Sequence, residues 1–174
     1  MNWVRQIAGV LLLLAMAGGP LLAPSAAEAA DRFIAHPDGW QTYVNDRFGM
    51  RFDYPGGIFA AAPPPENGDG RTFTSGDATL QIFAFHNTGD EDAGSLKARL
   101  IGSQGYENVT YSPSGGSWLV LSGFRGDDIF YEKYLFAGGV ISAFGMEFPA
   151  ARKPYYAPIV ERIASAVALQ RTMG

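Results

Sequence analysis

Residues 117–149, SWLVLSGFRGDDIFYEKYLFAGGVISAFGMEFP, carry the clearest structural pattern in this 174-residue chain. They contain three runs rich in β-branched and aromatic residues, at 117–124, 129–136 and 140–148, and the turns between these runs are short and contain glycine. Long strands joined by short turns predict an antiparallel meander. In the first two runs both alternating sets of side chains are largely apolar, which predicts a sheet covered on both faces.

Two adjacent charges, Glu132 and Lys133, interrupt the middle of the second run. Neighbouring side chains of a strand point to opposite faces of a sheet, so each charge breaks a different apolar row. One of them could be a buried functional charge, or it could pair with an opposite charge across the sheet. The pattern favours pairing.

Strand and helix signals continue on both sides of this meander. They predict strands at 40–44, 48–54, 71–75, 79–85 and 108–112, and helices at 90–103 and 153–168. In the strand at 48–54 the row of Phe48, Met50, Phe52 and Tyr54 is expected to face the core. The predicted fold is a single α/β (α+β) domain, a layered sandwich with a mainly antiparallel sheet of about six to eight strands and two flanking helices.

The connection between the strands at 48–54 and 71–75 has proline and turn chemistry. The prolines at 63–65 favour a polyproline II conformation, and the NGDG at 67–70 favours a turn. The same four residues resemble part of a calcium loop, but Arg71 and a strand follow where that loop needs more oxygen ligands and a closing glutamate. We therefore interpret the segment as a stiff loop and a turn. The candidate binding residues are Pro63, Pro64, Pro65, Asn67, Asp69 and, at the end of a nearby predicted strand, His86.

The chain lacks the short motifs of common catalytic and nucleotide-binding sites. It has no Gly-x-Ser-x-Gly elbow, no H-E-x-x-H zinc motif, no Walker-type glycine loop and no G-x-G-x-x-G after a strand. Its two histidines are His36 and His86. His86 could meet Asp90 or Asp92 in a hydrolytic site, although a histidine at a strand end is more often a surface residue. We assign no catalytic, cofactor-binding or metal-ligating residue, and we expect no cofactor.

The amino-terminal segment has the layout of a secretory signal peptide. A short region with Arg5 precedes an apolar run at 7–17, and small residues lead to Ala-Glu-Ala at 27–29. Cleavage after that triplet leaves a mature chain that starts at Ala30, and a second cleavage option lies at 25–27. A retained membrane anchor is the alternative, but the apolar run is shorter than the ~20 residues of a bilayer span.

These features predict a signal peptide at 1–29, a flexible lead-in at 30–39 and one α/β domain at 40–170. The protein is accordingly predicted to be exported, either periplasmic or secreted. The chain contains no cysteine, so the domain must be held by its core without disulfides. Its formal net charge is −4 and it has no block of basic residues, which argues against a nucleic acid or, after signal cleavage, a membrane as partner.

Several short motifs resemble small exported domains of the Mog1/PsbP-like type. They are YVN at 43–45, FGMRF at 48–52, YP at 54–55, FYEK at 130–133 and FP at 148–149. The resemblance implies an antiparallel sheet flanked by helices. It also implies a role in binding or assembly. It implies no catalytic residue in this chain.

We therefore expect an exported, non-enzymatic binding or assembly protein of the cell envelope. Its partner would be a protein or a small-molecule ligand in the envelope, met through the candidate binding loop. The alternatives are an envelope hydrolase that uses carboxylates and His86, and a structural protein held by its amino-terminal segment. The sequence leaves the oligomeric state open.

Overall fold

The computed structural model describes residues 31–101 and 103–170 of the chain, and the predicted signal peptide lies outside them. The strands are β1 (Arg32–Ala35), β2 (Trp40–Asn45), β3 (Met50–Pro55), β4 (Ala60–Ala61), β5 (Gly70–Thr74), β6 (Thr79–His86), β7 (Val109–Tyr111), β8 (Ser114–Gly115), β9 (Trp118–Arg125), β10 (Asp128–Ala137) and β11 (Val140–Pro149). The helices are α1 (Ala93–Ile101) and α2 (Lys153–Gln170), and a 3₁₀ turn (Ala150–Arg152) leads into α2. No helix among these residues is long and apolar enough to cross a membrane.

The strands form two antiparallel sheets. The small sheet has the order β1-β2-β3, and the large one has the order β4-β5-β6-β11-β10-β9-β7, with β8 paired to β9. The meander predicted at 117–149 is β9-β10-β11, which forms the centre of the large sheet. The predicted α+β fold with a mainly antiparallel sheet and two helices is confirmed. The short strands β4 and β8 lie in segments that were predicted as loops.

The inner face of the large sheet packs against the small sheet and α2. Alternation along each strand sends one set of apolar side chains into this core, as predicted for Met50, Phe52 and Tyr54 of β3. Phe48, predicted in the same row, precedes β3 and is only partly buried. The largest fully buried side chains of this core are Tyr43, Phe52, Phe59, Phe73, Leu80, Ile82, Phe144 and Tyr156.

The outer face of the large sheet is covered only in part, by α1. The helix begins at Ala93 and not at residue 90, because Asp90 has a positive φ of 49° and Asp92 caps the helix by accepting a hydrogen bond from the Ser95 N–H at 2.7 Å. A nine-residue helix is about 14 Å long, whereas the ten-residue strands β10 and β11 run for about 33 Å. The prediction of two covered faces therefore holds for one part of the sheet only.

Residues 30–39 were predicted as a flexible lead-in, and within this range the structure has a strand that the sequence pattern did not predict. Residues 32–35 form β1, which pairs with β2 from Arg32 opposite Val44 to Ala35 opposite Gln41. All four residues of β1 are exposed, so the strand has no inside-outside alternation that a sequence pattern could reveal. Besides its pairing with β2, the strand is held by the Phe33 ring, which lies 5.6 Å from that of Tyr43 and 6.4 Å from that of Phe73.

Candidate functional site

The part of the outer face that α1 leaves open carries a row of polar residues and glycine across four strands. The register places Thr72 of β5 opposite Gln81 of β6, Gln81 opposite Gly145 of β11, and Gly145 opposite Glu132 of β10. Residues that face each other in antiparallel strands project from the same side of the sheet, so these four line one strip. Gly145 brings no side chain to this strip, and the Glu132 side chain lies over it, since a Cβ on Gly145 would be 3.2 Å from Cγ of Glu132.

The proline loop forms a wall at one end of the strip. A cavity of about 430 Å³ lies between Pro63 and Pro65 on the loop and Gly70, Gln81 and Phe83 on the sheet. Gly70 contributes only backbone to its floor, because a side chain at this position would run into the backbone of β6. Of the candidate residues from the sequence, Pro63, Pro65 and Asp69 line this cavity, and Pro64 does not.

The turn after the prolines is tied down by polar contacts. The Asn67 amide donates to the Asp69 carboxylate at 2.6 Å, and the Gly68 N–H donates to the Pro65 carbonyl at 3.1 Å. The Arg47 guanidinium donates to the Asn67 carbonyl, which joins this turn to the β2–β3 hairpin. Asn67 therefore positions Asp69 and lies outside the cavity lining.

His86 is placed away from the cavity. Its exposed ring lies 5.1 Å from that of Phe48 at the end of β6. Asp92 is engaged as the α1 cap, and no hydrogen bond joins His86 to Asp90 or Asp92 within residues 31–101 and 103–170. The geometry gives no support to a hydrolytic site built from His86 and these carboxylates.

The other histidine joins a hydrogen-bonded chain in the small sheet. His36 Nε2 lies 2.7 Å from Thr42 Oγ1, and this hydroxyl donates to Asp53 Oδ1 at 2.5 Å. Threonine is the middle member of the chain, whereas a nucleophile-base-acid triad needs histidine there. The arrangement links the turn after β1 to β2 and β3 and does not activate the hydroxyl through His36.

A charged cluster lies at the other end of the strip and includes one of the two central charges noted in the sequence. Glu132 pairs with Arg125 of β9 at 2.8 Å, and Arg125 also pairs with Glu147 of β11 at 2.9 Å. The predicted pairing across the sheet is thus confirmed for Glu132. Lys133 points to the inner face, where it donates to the Ala164 carbonyl of α2 at 2.8 Å.

Two tyrosines complete the cluster around Glu132. The hydroxyls of Tyr106 and Tyr134 each donate to Glu132 Oε2 at 2.6 Å, and the two hydroxyl oxygens are 3.1 Å apart. The Arg125 guanidinium lies over the Phe130 ring at 4.2 Å and donates through Nε to the Gly105 carbonyl at 2.9 Å. A depression of about 160 Å³ lined by Gln81, Arg125, Glu132, Gly145 and Glu147 opens beside this network.

The tyrosines and the arginine of this cluster keep their protons at neutral pH. Burial raises the pKa of the Tyr106 phenol to about 12, and the charge of Glu132 adds to the increase. Burial and Glu132 likewise raise the pKa of Tyr134. Burial lowers the pKa of Arg125, but its hydrogen bonds to Glu132 and Glu147 outweigh that effect, and the pKa is raised. At neutral pH both phenols therefore remain donors to the Glu132 carboxylate, and Arg125 remains a cation.

Gln81 lines both depressions, so they lie side by side on the sheet. We call the two together the outer groove: the strip from Pro63 and Pro65 across Gln81 and Gly145 to Glu147 and Arg125. Sequence reasoning found its proline end and missed its charged end. The sequence did contain a signal for the charged end: Glu132 and Glu147 each interrupt a largely apolar strand, and these two strands are consecutive.

We expect Glu132→Gln to lower the free energy of unfolding by about 2 kcal/mol, because hydrogen bonds to a charged group are replaced by those of a single neutral carbonyl. Urea unfolding at neutral pH would measure the change. The matched control is Glu161→Gln on the exposed side of α2, which should change stability by less than about 0.5 kcal/mol. Equal stabilities of the two variants would show that the hydrogen bonds of Glu132 contribute nothing to the free energy of unfolding.

Comparison with known proteins identifies the fold. No family model matches the sequence, and no curated protein matches it either. The chain is similar to the solution structure of cyanobacterial PsbP (CyanoP) from Synechocystis sp. PCC 6803, with a TM-score of 0.50 and 16% sequence identity over 84% of this chain and 97% of that chain. At this identity the similarity carries information on fold and none on activity. The chain therefore has a PsbP-like fold, as its short motifs predicted.

Proposed function

We propose that this protein is an exported, non-enzymatic binding or assembly factor of the cell envelope that holds an extended segment of a partner protein in the outer groove. The observation that carries the proposal is that the two depressions of the groove adjoin. A proline-walled cavity and a charged depression share Gln81 and lie on an uncovered part of the sheet. Export rests on the signal-peptide pattern of residues 1–29.

The groove has the properties of a preformed binding site. Its larger cavity, about 430 Å³, is within the ~300–1,000 Å³ range typical of ligand sites. The prolines restrict the backbone of its wall, so little conformational entropy is lost when a ligand binds. Phe83 and the prolines provide apolar contacts, and Thr72 and Gln81 provide hydrogen-bonding groups between them.

The shape of the groove favours a chain segment over a small compact ligand. It crosses β5, β6, β11 and β10, and neighbouring strands are about 4.8 Å apart. This is a span of about 15 Å, which an extended peptide covers with about five residues. Gln81 lies at the centre of the groove and its side chain is exposed, so the groove is shallow.

Site-specific photocrosslinking tests this proposal. A photoreactive amino acid would replace Gln81 in the full chain, expressed in its native host, and a matched variant would carry it at the exposed Glu161 of α2. We expect a discrete crosslinked protein from position 81, absent from position 161 and reduced when Pro63 and Pro65 are both replaced by serine. Identical products from both positions, or no product from position 81, would overturn the proposed function.

A further inference from the structure

We propose that the outer groove recognises its partner segment by a lysine or arginine side chain that pairs with Glu147, about three residues away from an apolar side chain that packs against Pro63 and Phe83. This inference rests on the proposed function and adds the chemistry of the partner. It is argued from charge, from the free acceptor atoms of the cluster and from the spacing of the two depressions.

The groove carries more negative than positive charge. Asp69 lies at its proline end, where Arg71 also lines the cavity but is paired with Asp31, and Glu132 and Glu147 lie at its other end. Arg125 is the cation at that end, and its three guanidinium nitrogens already donate to Glu132, Glu147 and the Gly105 carbonyl. An anionic partner would have to displace these bonds, whereas a cationic one would not.

Glu147 is the carboxylate best placed to receive a cation. Its side chain is 39% exposed, compared with 11% for Glu132. Its Oε2 accepts from Arg125, and its Oε1 accepts no hydrogen bond from any described residue. In contrast, Glu132 has both oxygens engaged, one by Arg125 and the other by two tyrosines. Gly145, two residues before Glu147 on the same side of β11, has no side chain that could cover Glu147.

The spacing of the two depressions sets the spacing of the two recognised side chains. The apolar cavity lies over β5 and β6, and the charged depression is centred on β11. Across the strands the centres are about one and a half spacings apart, or about 7 Å. Along the strands they are offset by about two residues, or about 7 Å, because the first lies at the level of Phe83 and Gln81 and the second at the level of Gln81 and Thr79. The direct distance is therefore about 10 Å. An extended chain advances about 3.3 Å per residue, so an apolar residue in the first depression places the third residue after it at Glu147.

A metal ion is a poor alternative occupant of the charged end. Within residues 31–101 and 103–170 no group of three or more His, Asp or Glu residues is arranged to hold one. Glu132 also lacks a free oxygen, because its acceptors are engaged by Arg125, Tyr106 and Tyr134. The free Oε1 of Glu147 suits one ammonium or guanidinium group.

An array of eight-residue peptides tests the inference on the mature protein. Each of the four central positions would be varied independently through lysine, glutamate, serine and phenylalanine. We expect binding to be strongest for phenylalanine followed three residues later by lysine, and to weaken as salt screens the exposed pair. Binding that is independent of lysine, binding that favours glutamate, or the absence of any binding peptide would overturn the inference.

Variants of Glu147 assign the effect to one carboxylate. Glu147→Gln should weaken the best peptide about threefold, as expected for an exposed ion pair, and Glu147→Lys should weaken it more than about tenfold through repulsion. Glu161→Gln and Glu161→Lys are the matched controls, and urea unfolding would verify that each variant is folded. Unchanged binding by both Glu147 variants would overturn the inference.

The crosslinking experiment separates this inference from the proposed function. A partner segment that is captured from position 81 but lacks a basic residue would overturn the inferred pairing of a lysine or arginine with Glu147. The proposed binding function would still stand. The absence of capture would overturn the binding function itself. A captured segment with a basic residue three positions from an apolar one, whose capture is reduced by Glu147→Lys, would support both.

Discussion

Asp31→Ala is expected to lower the free energy of unfolding by about 3 to 5 kcal/mol, because it removes one partner of a buried ion pair. Asp31 Oδ2 lies 2.8 Å from the Arg71 guanidinium, and the two side chains are only 11% and 10% exposed. The hydroxyl of Tyr43 and the amide of Asn45 also donate to the Asp31 carboxylate, at 2.8 and 3.3 Å. Without Asp31, the buried charge of Arg71 has no compensating carboxylate.

The Arg71 side chain is sensitive to this loss. Its Nε is already buried with no hydrogen-bond partner among the described residues, although its NH1 donates to the Ala62 carbonyl at 2.8 Å. That bond links Arg71 to the start of the proline loop, so the substitution should also loosen the wall of the outer groove. The predicted cleavage site before Ala30 retains Asp31 in the mature chain.

Asp38→Ala is the matched control for this prediction. Asp38 pairs with Arg162 at 2.5 Å, but both side chains are 51% exposed, so its removal should destabilise the protein much less than Asp31→Ala. Urea unfolding followed by tryptophan fluorescence would compare the two variants with the wild-type protein. Equal losses would mean that the Asp31–Arg71 pair behaves as a surface pair, contrary to its burial.

The same ion pair shows why the amino-terminal strand could not be predicted. The strand β1 has four exposed residues, so its position depends on contacts that lie far away in the sequence. Asp31 and Arg71 are separated by 40 positions, and nothing in the local pattern around either residue indicates that they meet. In contrast, the alternation in β3 and the apolar runs of β9 and β10 depend on neighbouring residues, and these strands were predicted close to their observed bounds.

The candidate site was predicted in part for a similar reason. Proline and turn chemistry is local, so the wall of the outer groove could be identified from residues 63–70. The charged end depends on the register of β10 and β11, which places Glu132 opposite Gly145 and Phe130 opposite Glu147. A shift of one residue would send Glu147 to the inner face, and the sequence alone does not set this register.

Gly70→Ala is expected to destabilise the protein by about 3 kcal/mol or more, because the added methyl group would meet backbone atoms that cannot rotate away. A Cβ at this position would lie 2.6 Å from Cα of Phe83 and would overlap the Ile82 carbonyl oxygen. The β5 strand would have to move away from β6. The hydrogen bond from the Ala84 N–H to the Asp69 carbonyl, 2.8 Å long, lies directly beside the clash and should weaken first.

Gly57→Ala is the matched control, because a methyl group added to Gly57 would meet no surrounding atom within 4 Å and the φ of this residue is not positive. It should change the urea midpoint little, whereas Gly70→Ala should lower it strongly. A Gly70→Ala protein as stable as the Gly57→Ala control would mean that β5 and β6 are not packed as closely as described. Because Gly70 is also the floor of the proline-walled cavity, a variant that stays folded at low temperature should still bind the peptide array less well. Such a result would connect the close approach of β5 and β6 to the shape of the outer groove.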